Sequence, residues 1–342
     1  MSLRVLVVDD SPLMRKFLTD MLDSHPGISV VGTANDGEEA VRKATDLQPD
    51  VITMDVEMPR KNGLAALADI MSKHPLPVVM VSTLTTKGAK ETIEALNLGA
   101  IDFVAKPSSS PIGLHRIKDE LIAKVLAAKE ARLRTKFGMH VRATATTKGS
   151  DRVVFVAAST GGPKALMAFF ESLPQGFPAA MLIVQHMPEG FTKNFAERLN
   201  TCGTLPCREA APGDRVTPGL ALMAPGGKHM VVGPGGELKF TNDPPMHGVR
   251  PAADLLFLSG VKVYQSRSIG VVMTGMGKDG AKGALQIRSA GGVCFGESEE
   301  SCTIYGMPKM AKLVGGIDAE YPVSEIAHAL VAVLSGRLAR AS

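Results

Sequence analysis

The stretch VVFVAASTGGPKAL, residues 153–166, decides the architecture of the second half of this chain. Its first six residues, Val153–Ala158, are all apolar, which predicts a strand buried on both faces, as in a parallel sheet. A Ser-Thr-Gly-Gly turn follows, and Pro163 suits the first position of a helix. The stretch therefore predicts a strand–turn–helix unit with a small hydroxyl residue, Ser159, on the turn.

Ser159 has two interpretations. On a tight strand-to-helix turn its hydroxyl would be exposed, with N–H groups at the helix start facing a developing oxyanion, so Ser159 is a candidate nucleophile. Alternatively, Ser159 caps the helix that follows, as serine often does. The stretch alone favours neither interpretation, and residues further along the chain have to decide between them.

Length and composition narrow the class of protein. The 342 residues accommodate two domains with cores of their own. No apolar run approaches the length of a membrane span, and the first strand begins within three residues, leaving no room for a signal peptide. We therefore expect a cytoplasmic protein without membrane insertion. The four cysteines match no common zinc spacing and are predicted to be packing residues.

Residues 110–150 form a basic segment, with nine Lys/Arg against three Asp/Glu. Such a run raises the possibility of nucleic-acid binding. However, Phe137 is its only aromatic residue and no nucleic-acid motif precedes it. We therefore expect no nucleic-acid partner. Residues 114–133 predict a linker helix with one apolar stripe, and the small polar residues 144–150 predict a hinge. The predicted domains are residues 1–109 and 151–342, joined by residues 110–150.

Strand and helix signals alternate through residues 1–109. The predicted strands are residues 3–8, 28–32, 51–54, 78–82 and 101–104. Five strands that alternate with helices predict a parallel doubly wound sheet, in which ligands bind outside the carboxyl ends of the strands. Polar residues follow the strands at that edge: Asp9, Asp10, Asp55, Ser82 and Lys106.

These polar residues suggest phosphoryl chemistry. Three carboxylates in one crevice repel one another unless a cation joins them, and Mg²⁺ is the hard cation that suits oxygen ligands. An aspartate there can attack phosphorus and form an acyl phosphate, whose oxygens Lys106 and the Ser82 hydroxyl could bind. The alternative is that these five residues are independent and have no joint role. Their position at the same edge of the predicted sheet disfavours that alternative.

The motifs that carry this pattern are VVDDS at residues 7–11, DVEMP at 55–59, VST at 81–83 and KP at 106–107. With them, residues 1–109 resemble the response-regulator receiver domain, a flavodoxin-like fold with a five-stranded parallel sheet. The resemblance implies phosphorylation of Asp55 by a chemotaxis histidine kinase, with Mg²⁺ bound by Asp9, Asp10 and Asp55. It also implies a switch formed by Ser82, Phe103 and Lys106, in which Phe103 replaces the tyrosine that receivers often carry.

In the second half, two further apolar strands end in residues of catalytic type. Residues 180–185 lead into His186, and residues 269–274 lead into a loop with Asp279. A serine attacks a carbonyl, a histidine removes its proton, and a carboxylate holds the imidazole in place, so Ser159, His186 and Asp279 are candidates for a triad. Between these strands, short apolar runs at residues 220–223, 229–232 and 238–240 predict an antiparallel hairpin insertion.

The loop before Asp279 also fits a different function. Gly275, Gly277 and Gly280 form a GxGxxG pattern after a strand, and Glu297 follows 20 positions after Gly277. This spacing is typical of a nicotinamide-dinucleotide-binding enzyme. Asp279 counts against that interpretation, because its charge would lie where a pyrophosphate must bind.

Three motifs point to one family: ASTGGP at residues 158–163, QHMP at 185–188 and TGMGKDG at 274–280. With them the chain resembles the chemotaxis protein-glutamate methylesterases, whose receiver, linker and doubly wound α/β esterase domain occur in this order. The resemblance implies that Ser159 is the nucleophile, His186 the base and Asp279 its orienting partner. It further implies that Thr160 positions the histidine and that the Met276 N–H contributes to an oxyanion hole.

That family hydrolyses glutamate methyl esters on methyl-accepting chemoreceptors to glutamate and methanol, and it also deamidates receptor glutamines. The resemblance therefore implies a phosphorylation-activated serine esterase of chemotactic adaptation, with no cofactor for the esterase chemistry. The main alternative is a response regulator whose second domain binds a partner without catalysis.

Overall fold

The chain folds into two α/β units, divided between residues 135 and 136. The computed structural model describes residues 2–83, 85–106, 111–131 and 149–337. Within these ranges, no helix combines the length and the apolar character that a membrane crossing requires. Each unit is built around its own mostly parallel sheet, and each is described by itself.

The first unit alternates strands and helices throughout. Its elements are β1 (Leu3–Val8), α1 (Pro12–Asp23), β2 (Ile28–Ala34), α2 (Gly37–Leu47), β3 (Val51–Asp55), α3 (Gly63–Lys73), β4 (Val78–Ser82), α4 (Thr86–Leu98), β5 (Asp102–Ala105) and α5 (Pro111–Glu130). The strands pair in parallel in the order β2-β1-β3-β4-β5. This order is that of a flavodoxin-like sheet, so the predicted fold class of this half is confirmed.

The helix predicted as a linker packs inside the first unit. Leu121 and Val125 of α5 are fully buried in one apolar cluster with β1 residues such as Val5. An apolar stripe on this helix fits the packing, because the stripe covers the sheet. Most of the predicted hinge, residues 144–150, lies outside the described residues.

The second unit is larger and contains the quoted stretch. Its elements are β6 (Val153–Ala158), α6 (Gly162–Ser172), β7 (Ala180–Gln185), α7 (Phe191–Cys202), β8 (Cys207–Glu209), β9 (Ala221–Met223), β10 (His229–Val232), β11 (Leu238–Thr241), α8 (Ala253–Tyr264), β12 (Ser268–Val272), α9 (Ala281–Ser289), β13 (Val293–Glu297), α10 (Met307–Leu313), β14 (Ala319–Tyr321) and α11 (Val323–Leu334). Seven strands form one sheet in the order β14-β13-β12-β6-β7-β9-β8.

The hairpin insertion is smaller than the sequence predicts. Strands β10 and β11 form an antiparallel pair, as expected. The first of the three apolar runs instead becomes β9, which joins the main sheet in parallel between β7 and β8. All three residues of β9 are buried, so this run is a covered inner strand rather than half of a two-sided hairpin.

Strand β6 lies at the centre of the sheet, between β12 and β7. Its buried Phe155 packs against Phe257 of α8, with ring centroids 6.0 Å apart, and against Tyr264, at 6.4 Å. Helix α8 approaches this ring closely because Gly260 has no side chain. The core therefore fixes the position of α8 relative to β6. This position matters because N–H groups at the start of α8 bind the side chain of Asp279.

Replacing Gly260 with alanine tests this packing. A Cβ at Gly260 would lie 2.3 Å from Cε1 and Cζ of the buried Phe155 ring. The overlap should outweigh the helix propensity gained from alanine and lower the free energy of unfolding of the second unit by about 1–2 kcal/mol. Differential scanning calorimetry of the full chain measures the change, with Gly149→Ala as a control because nothing lies within 4 Å of its added Cβ. An unchanged or raised melting temperature for Gly260→Ala would contradict this account.

Candidate active site

Ser159 and His186 follow neighbouring strands at the same edge of the sheet. In the parallel register of β6 and β7, Ala158 pairs with Gln185, so Ser159 and His186 are the next residues of the two strands. The His186 N–H donates to the carbonyl oxygen of Ala158 at 3.1 Å. On the other side, the Ser159 N–H donates to the carbonyl oxygen of Thr274 at 3.0 Å, which ties Ser159 to the loop after β12.

The turn at Ser159 does not use the serine as a helix cap. Helix α6 begins after Gly161, and no side-chain hydrogen bond caps it, so the capping interpretation is not supported. Gly161 has a φ of 77°, and a Cβ there would lie 2.3 Å from Cβ of Thr303, so the turn requires glycine. Pro163 is the second helical residue, one position later than predicted. The Ser159 hydroxyl is thereby left free for other chemistry.

His186 is paired with a buried carboxylate. Its Nε2 lies 2.8 Å from Oδ2 of Asp279, and the side chains are 11% and 2% exposed. A carboxylate only accepts hydrogen bonds, so we assign the proton to Nε2, which leaves Nδ1 as an acceptor. Among the described residues, no hydrogen bond joins the Ser159 hydroxyl to the imidazole. Catalytic hydrogen bonds of this kind are often long in the absence of substrate.

Asp279 is held by the N-terminus of α8. The Ala253 N–H donates to its Oδ2 at 2.6 Å, and the Asp254 N–H donates to its Oδ1 at 2.9 Å. Burial by itself would raise the pKa of Asp279, but the hydrogen bond and charge of His186, with these backbone N–H groups, outweigh burial and hold the pKa below its ordinary value. The carboxylate is therefore ionised, as an orienting partner of a histidine must be.

The dinucleotide interpretation finds no support in this geometry. Glu297, the acid that the spacing proposed for a ribose, is fully buried. Its Oε2 accepts from the Thr274 N–H at 2.9 Å and its Oε1 from the Ser301 hydroxyl at 2.9 Å. Asp279 occupies the turn where a pyrophosphate would have to bind. Glu297 thus anchors the start of the glycine-rich loop through the Thr274 N–H. Its spacing from Gly277 in the sequence did not indicate this supporting role.

Asp254 is a second supporting residue that the sequence did not reveal. It is 1% exposed, and its Oδ1 accepts from the Gly283 N–H at 2.7 Å, which ties α8 to α9 on either side of Asp279. Its Oδ2 lies 2.9 Å from Nε2 of His247. Burial raises the pKa of Asp254, and the hydrogen bonds with Gly283 and His247 offset this rise only in part. The available signal was an acidic residue in the first turn of a mostly apolar helix.

The loop that carries Met276 is fixed on both sides. The Gly275 N–H donates to the carbonyl oxygen of Ile304 at 3.0 Å, and the Gly275 carbonyl accepts from the Met307 N–H at 2.8 Å. Thr274 donates through its hydroxyl to the carbonyl oxygen of Thr160 at 3.0 Å, so this loop also contacts the residue after Ser159. Within the described part of the chain, the Met276 N–H donates to no group, and it remains available to a ligand.

A separate acidic cluster lies in the first unit. Carboxylate oxygens of Asp9, Asp10 and Asp55 lie within 4.8 Å of one another. Nζ of Lys106 is 2.8 Å from Oδ2 of Asp9 and 2.7 Å from Oδ2 of Asp55. Burial, opposed by Lys106 and assisted by the charge of Asp9, raises the pKa of Asp55 to about 6. The structure thus brings four of the five predicted phosphoryl-site residues together.

The two remaining switch candidates have other partners. The buried Ser82 hydroxyl donates to the carbonyl oxygen of Gly88 in α4 at 3.2 Å, away from Asp55. Phe103 lies in the core, and the ammonium group of Lys124 lies 5.2 Å from its ring centroid, a distance typical of a cation–π contact. Ser82 is therefore near the acidic cluster in the fold but is engaged with α4 in this state.

Comparisons with known proteins find relatives of both units. Residues 5–118 match the response regulator receiver domain family, and residues 154–330 match the CheB methylesterase family. A protein-glutamate methylesterase/protein-glutamine glutaminase of Symbiobacterium thermophilum is 46% identical, over 96% of each chain. One of Thermotoga maritima is 44% identical, over 96% of this chain and 98% of its own.

A solved structure resembles the second unit. It is the crystal structure of the Thermotoga maritima CheB methylesterase catalytic domain, which matches with a TM-score of 0.52 and 37% identity. The match covers 55% of this chain and 100% of that chain. The family resemblance of the sequence motifs is thereby confirmed over nearly the full length, and the chain belongs to the CheB methylesterase family, with a response regulator receiver domain preceding the esterase domain.

Proposed function

We propose that this chain is a phosphorylation-activated serine esterase that hydrolyses glutamate methyl esters on chemoreceptors to glutamate and methanol. The observation that carries the proposal is the position of His186, which is next to Ser159 in the sheet register and hydrogen-bonded to the buried Asp279. A non-catalytic binding domain would not require this arrangement. The similar proteins named for the activity add support along nearly the whole chain.

In the acylation step the Ser159 hydroxyl oxygen attacks the ester carbonyl carbon. Its proton passes to Nδ1 of His186, because Nε2 is already engaged with Asp279. The ionised Asp279 stabilises the imidazolium that forms. The negative charge that develops on the carbonyl oxygen needs hydrogen-bond donors, and we assign this role to the Met276 N–H, which donates to no other group among the described residues. We keep Thr160 as the residue that helps to position His186; its carbonyl oxygen accepts from the Thr274 hydroxyl at 3.0 Å.

The tetrahedral intermediate then loses methanol. The bond between the carbonyl carbon and the methoxy oxygen breaks, and the imidazolium of His186 gives its proton to the departing oxygen. Water, deprotonated by the same imidazole, attacks the acyl-serine and releases glutamate and free Ser159. A glutamine side chain would react in the same way with ammonia as the leaving group, so the proposal includes deamidation, which the names of similar proteins also state.

We further propose that Asp55 accepts a phosphoryl group from a chemotaxis histidine kinase. The cluster of Asp9, Asp10 and Asp55 fits Mg²⁺, because its three carboxylates converge and, within the described residues, Lys106 is the one cation that forms ion pairs with them. When bound, Mg²⁺ would neutralise charge on the transferred phosphoryl group. Lys106 would bind a phosphoryl oxygen, and Ser82 would exchange its Gly88 contact for another, with Phe103 packing beside it. Since kinase and receptor methylation sites are cytoplasmic in this family, we place the chain in the cytoplasm.

Substitution of the three site residues tests the esterase proposal. Ser159→Ala and His186→Gln should each reduce methanol release from methylated receptor by about 10⁴-fold or more, because these residues act as one unit, with Asp279→Asn less severe. A gas-chromatographic assay of methanol measures the rates. Ser289→Ala, which alters an exposed serine of α9, serves as a control that should retain full activity. Full activity in Ser159→Ala would instead favour a partner-binding effector.

A small phosphodonor such as acetyl phosphate tests regulation. With Mg²⁺ it should raise methanol release by the parent chain about 5–150-fold, the range of ordinary allosteric coupling. Asp55→Asn should abolish both the stimulation and the acyl-phosphate adduct seen by intact mass spectrometry, and a chelator should do the same to the parent chain. Asp46→Asn is the matched control, because Asp46 is exposed in the same unit. Full phosphorylation of Asp55→Asn would move the acceptor elsewhere.

The pH dependence of stability tests whether Asp279 is ionised in the folded chain. The pKa of Asp279 is lower in the folded chain than in the unfolded chain, so the ionised carboxylate stabilises the fold. This stabilisation is fully present above the unfolded-state pKa and is lost as the pH falls through the folded-state pKa. At pH 7, Asp279→Asn places an amide N–H against backbone donors and should lower the free energy of unfolding by about 1–3 kcal/mol. The difference between variant and parent should shrink below about pH 4. Urea unfolding at a series of pH values measures it, and a pH-independent difference would contradict ionisation.

A further inference from the structure

Gln185 makes contacts that the triad does not account for. It is the last residue of β7, directly before His186, and is 2% exposed. Its side-chain Nε2 donates to the carbonyl oxygen of Ser159 at 3.0 Å and to that of His186 at 3.3 Å. One amide group therefore connects the backbone of the candidate nucleophile with the backbone of the candidate base.

We propose that Gln185 is a positioning residue of the esterase reaction, which holds Ser159 and His186 at their working separation. The inference rests on the proposed function and extends it, because the triad chemistry assigns no role to this amide. The pairing of β6 with β7 ends at Ala158 and Gln185, apart from the bond from the His186 N–H to Ala158. The Gln185 side chain continues the connection between the strands by one residue, where the chemistry takes place.

The orientation of the amide is set by its surroundings. If the amide were reversed, its oxygen would face two carbonyl oxygens, so the nitrogen must lie on that side. Its Oε1 is buried and has no hydrogen-bond partner among the described residues. This oxygen lies against Gly162 at the start of α6, where an added Cβ would approach it to 2.0 Å. The side chain is therefore held between α6 and the two carbonyls.

An unpaired buried oxygen argues against a purely structural role. A buried polar atom without a partner is unfavourable, and an apolar side chain of similar length would avoid it. What the amide offers, and an apolar residue cannot, is the pair of N–H bonds to Ser159 and His186. Since no hydrogen bond joins the Ser159 hydroxyl to the imidazole in the described structure, the separation of the two residues depends on their backbones. A misplacement of about 1 Å is enough to cost about 10²-fold in rate.

Two variants of Gln185 test the inference. Gln185→Met keeps the length and removes the donor, and Gln185→Glu keeps the shape but places a carboxylate against two carbonyl oxygens. Each should lower kcat for methanol release about 10–100-fold with KM changed less than about twofold. The rate at which a fluorophosphonate probe labels Ser159 should fall in parallel, because the probe reports serine reactivity without receptor binding. The melting temperature of Gln185→Met should be unchanged or higher.

Thr204→Val provides a matched control. The Thr204 hydroxyl, which has one proton to donate, lies within hydrogen-bond distance of two carbonyl oxygens, those of Leu173 at 3.1 Å and Pro174 at 3.0 Å, at the end of α6 that lies away from Ser159. This variant should keep the parent kcat and labelling rate.

The outcomes separate this inference from the proposed function. The positioning role would be overturned if either Gln185 variant folded and kept both its kcat and its labelling rate within about twofold of the parent. So would an equal loss in Thr204→Val, since the effect would then be general destabilisation. If the parent chain released no methanol but was labelled at Ser159, the proposed substrate would be wrong, and the labelling rates would still decide the role of Gln185.

Discussion

The candidate active site depends on how one buried carboxylate is held. The Asp279 carboxylate accepts a hydrogen bond from His186 on one side and hydrogen bonds from two backbone N–H groups of α8 on the other. Without these partners burial would favour its neutral form. With them it stays ionised and fixes the imidazole, so the helix N-terminus is part of the catalytic arrangement. The position of α8 in turn depends on its close packing against Phe155 of β6.

The two units use the same edge of a parallel sheet for opposite electrostatic purposes. In the first unit Asp55 is buried beside another carboxylate, and its pKa rises to about 6 despite Lys106. Such a cluster favours a bound cation, which suits the phosphoryl acceptor that we propose Asp55 to be. In the second unit the pKa of Asp279 is lowered, because the hydrogen bond and charge of His186 and two fixed backbone N–H donors outweigh burial. Identical side chains thus differ in role through the donors that the fold places around them.

The sequence was sufficient for features that depend on local pattern. Apolar runs located β6 and β7, and adjacency of the two strands placed Ser159 next to His186 in the register. It was insufficient where a residue's role depends on a distant partner. Glu297 lies 23 positions from the Thr274 N–H that it holds, and Asp254 lies 29 positions from Gly283. Spacing alone even suggested a nucleotide ligand for Glu297. The packing of α5 likewise depends on the sheet that its stripe covers.

The way the helices begin explains why the site residues are free for chemistry. In the first unit α1 to α4 are capped by side chains, those of Ser11, Asp36, Asn62 and Thr85. The three helices that follow the site loops, α6, α7 and α9, instead begin after glycines without side-chain caps. Replacing a polar cap by glycine costs only a few tenths of a kcal/mol. For that small cost, the hydroxyl of Ser159 and the carboxylate of Asp279 avoid capping their own helices, and Asp279 can bind the N-terminus of α8 instead.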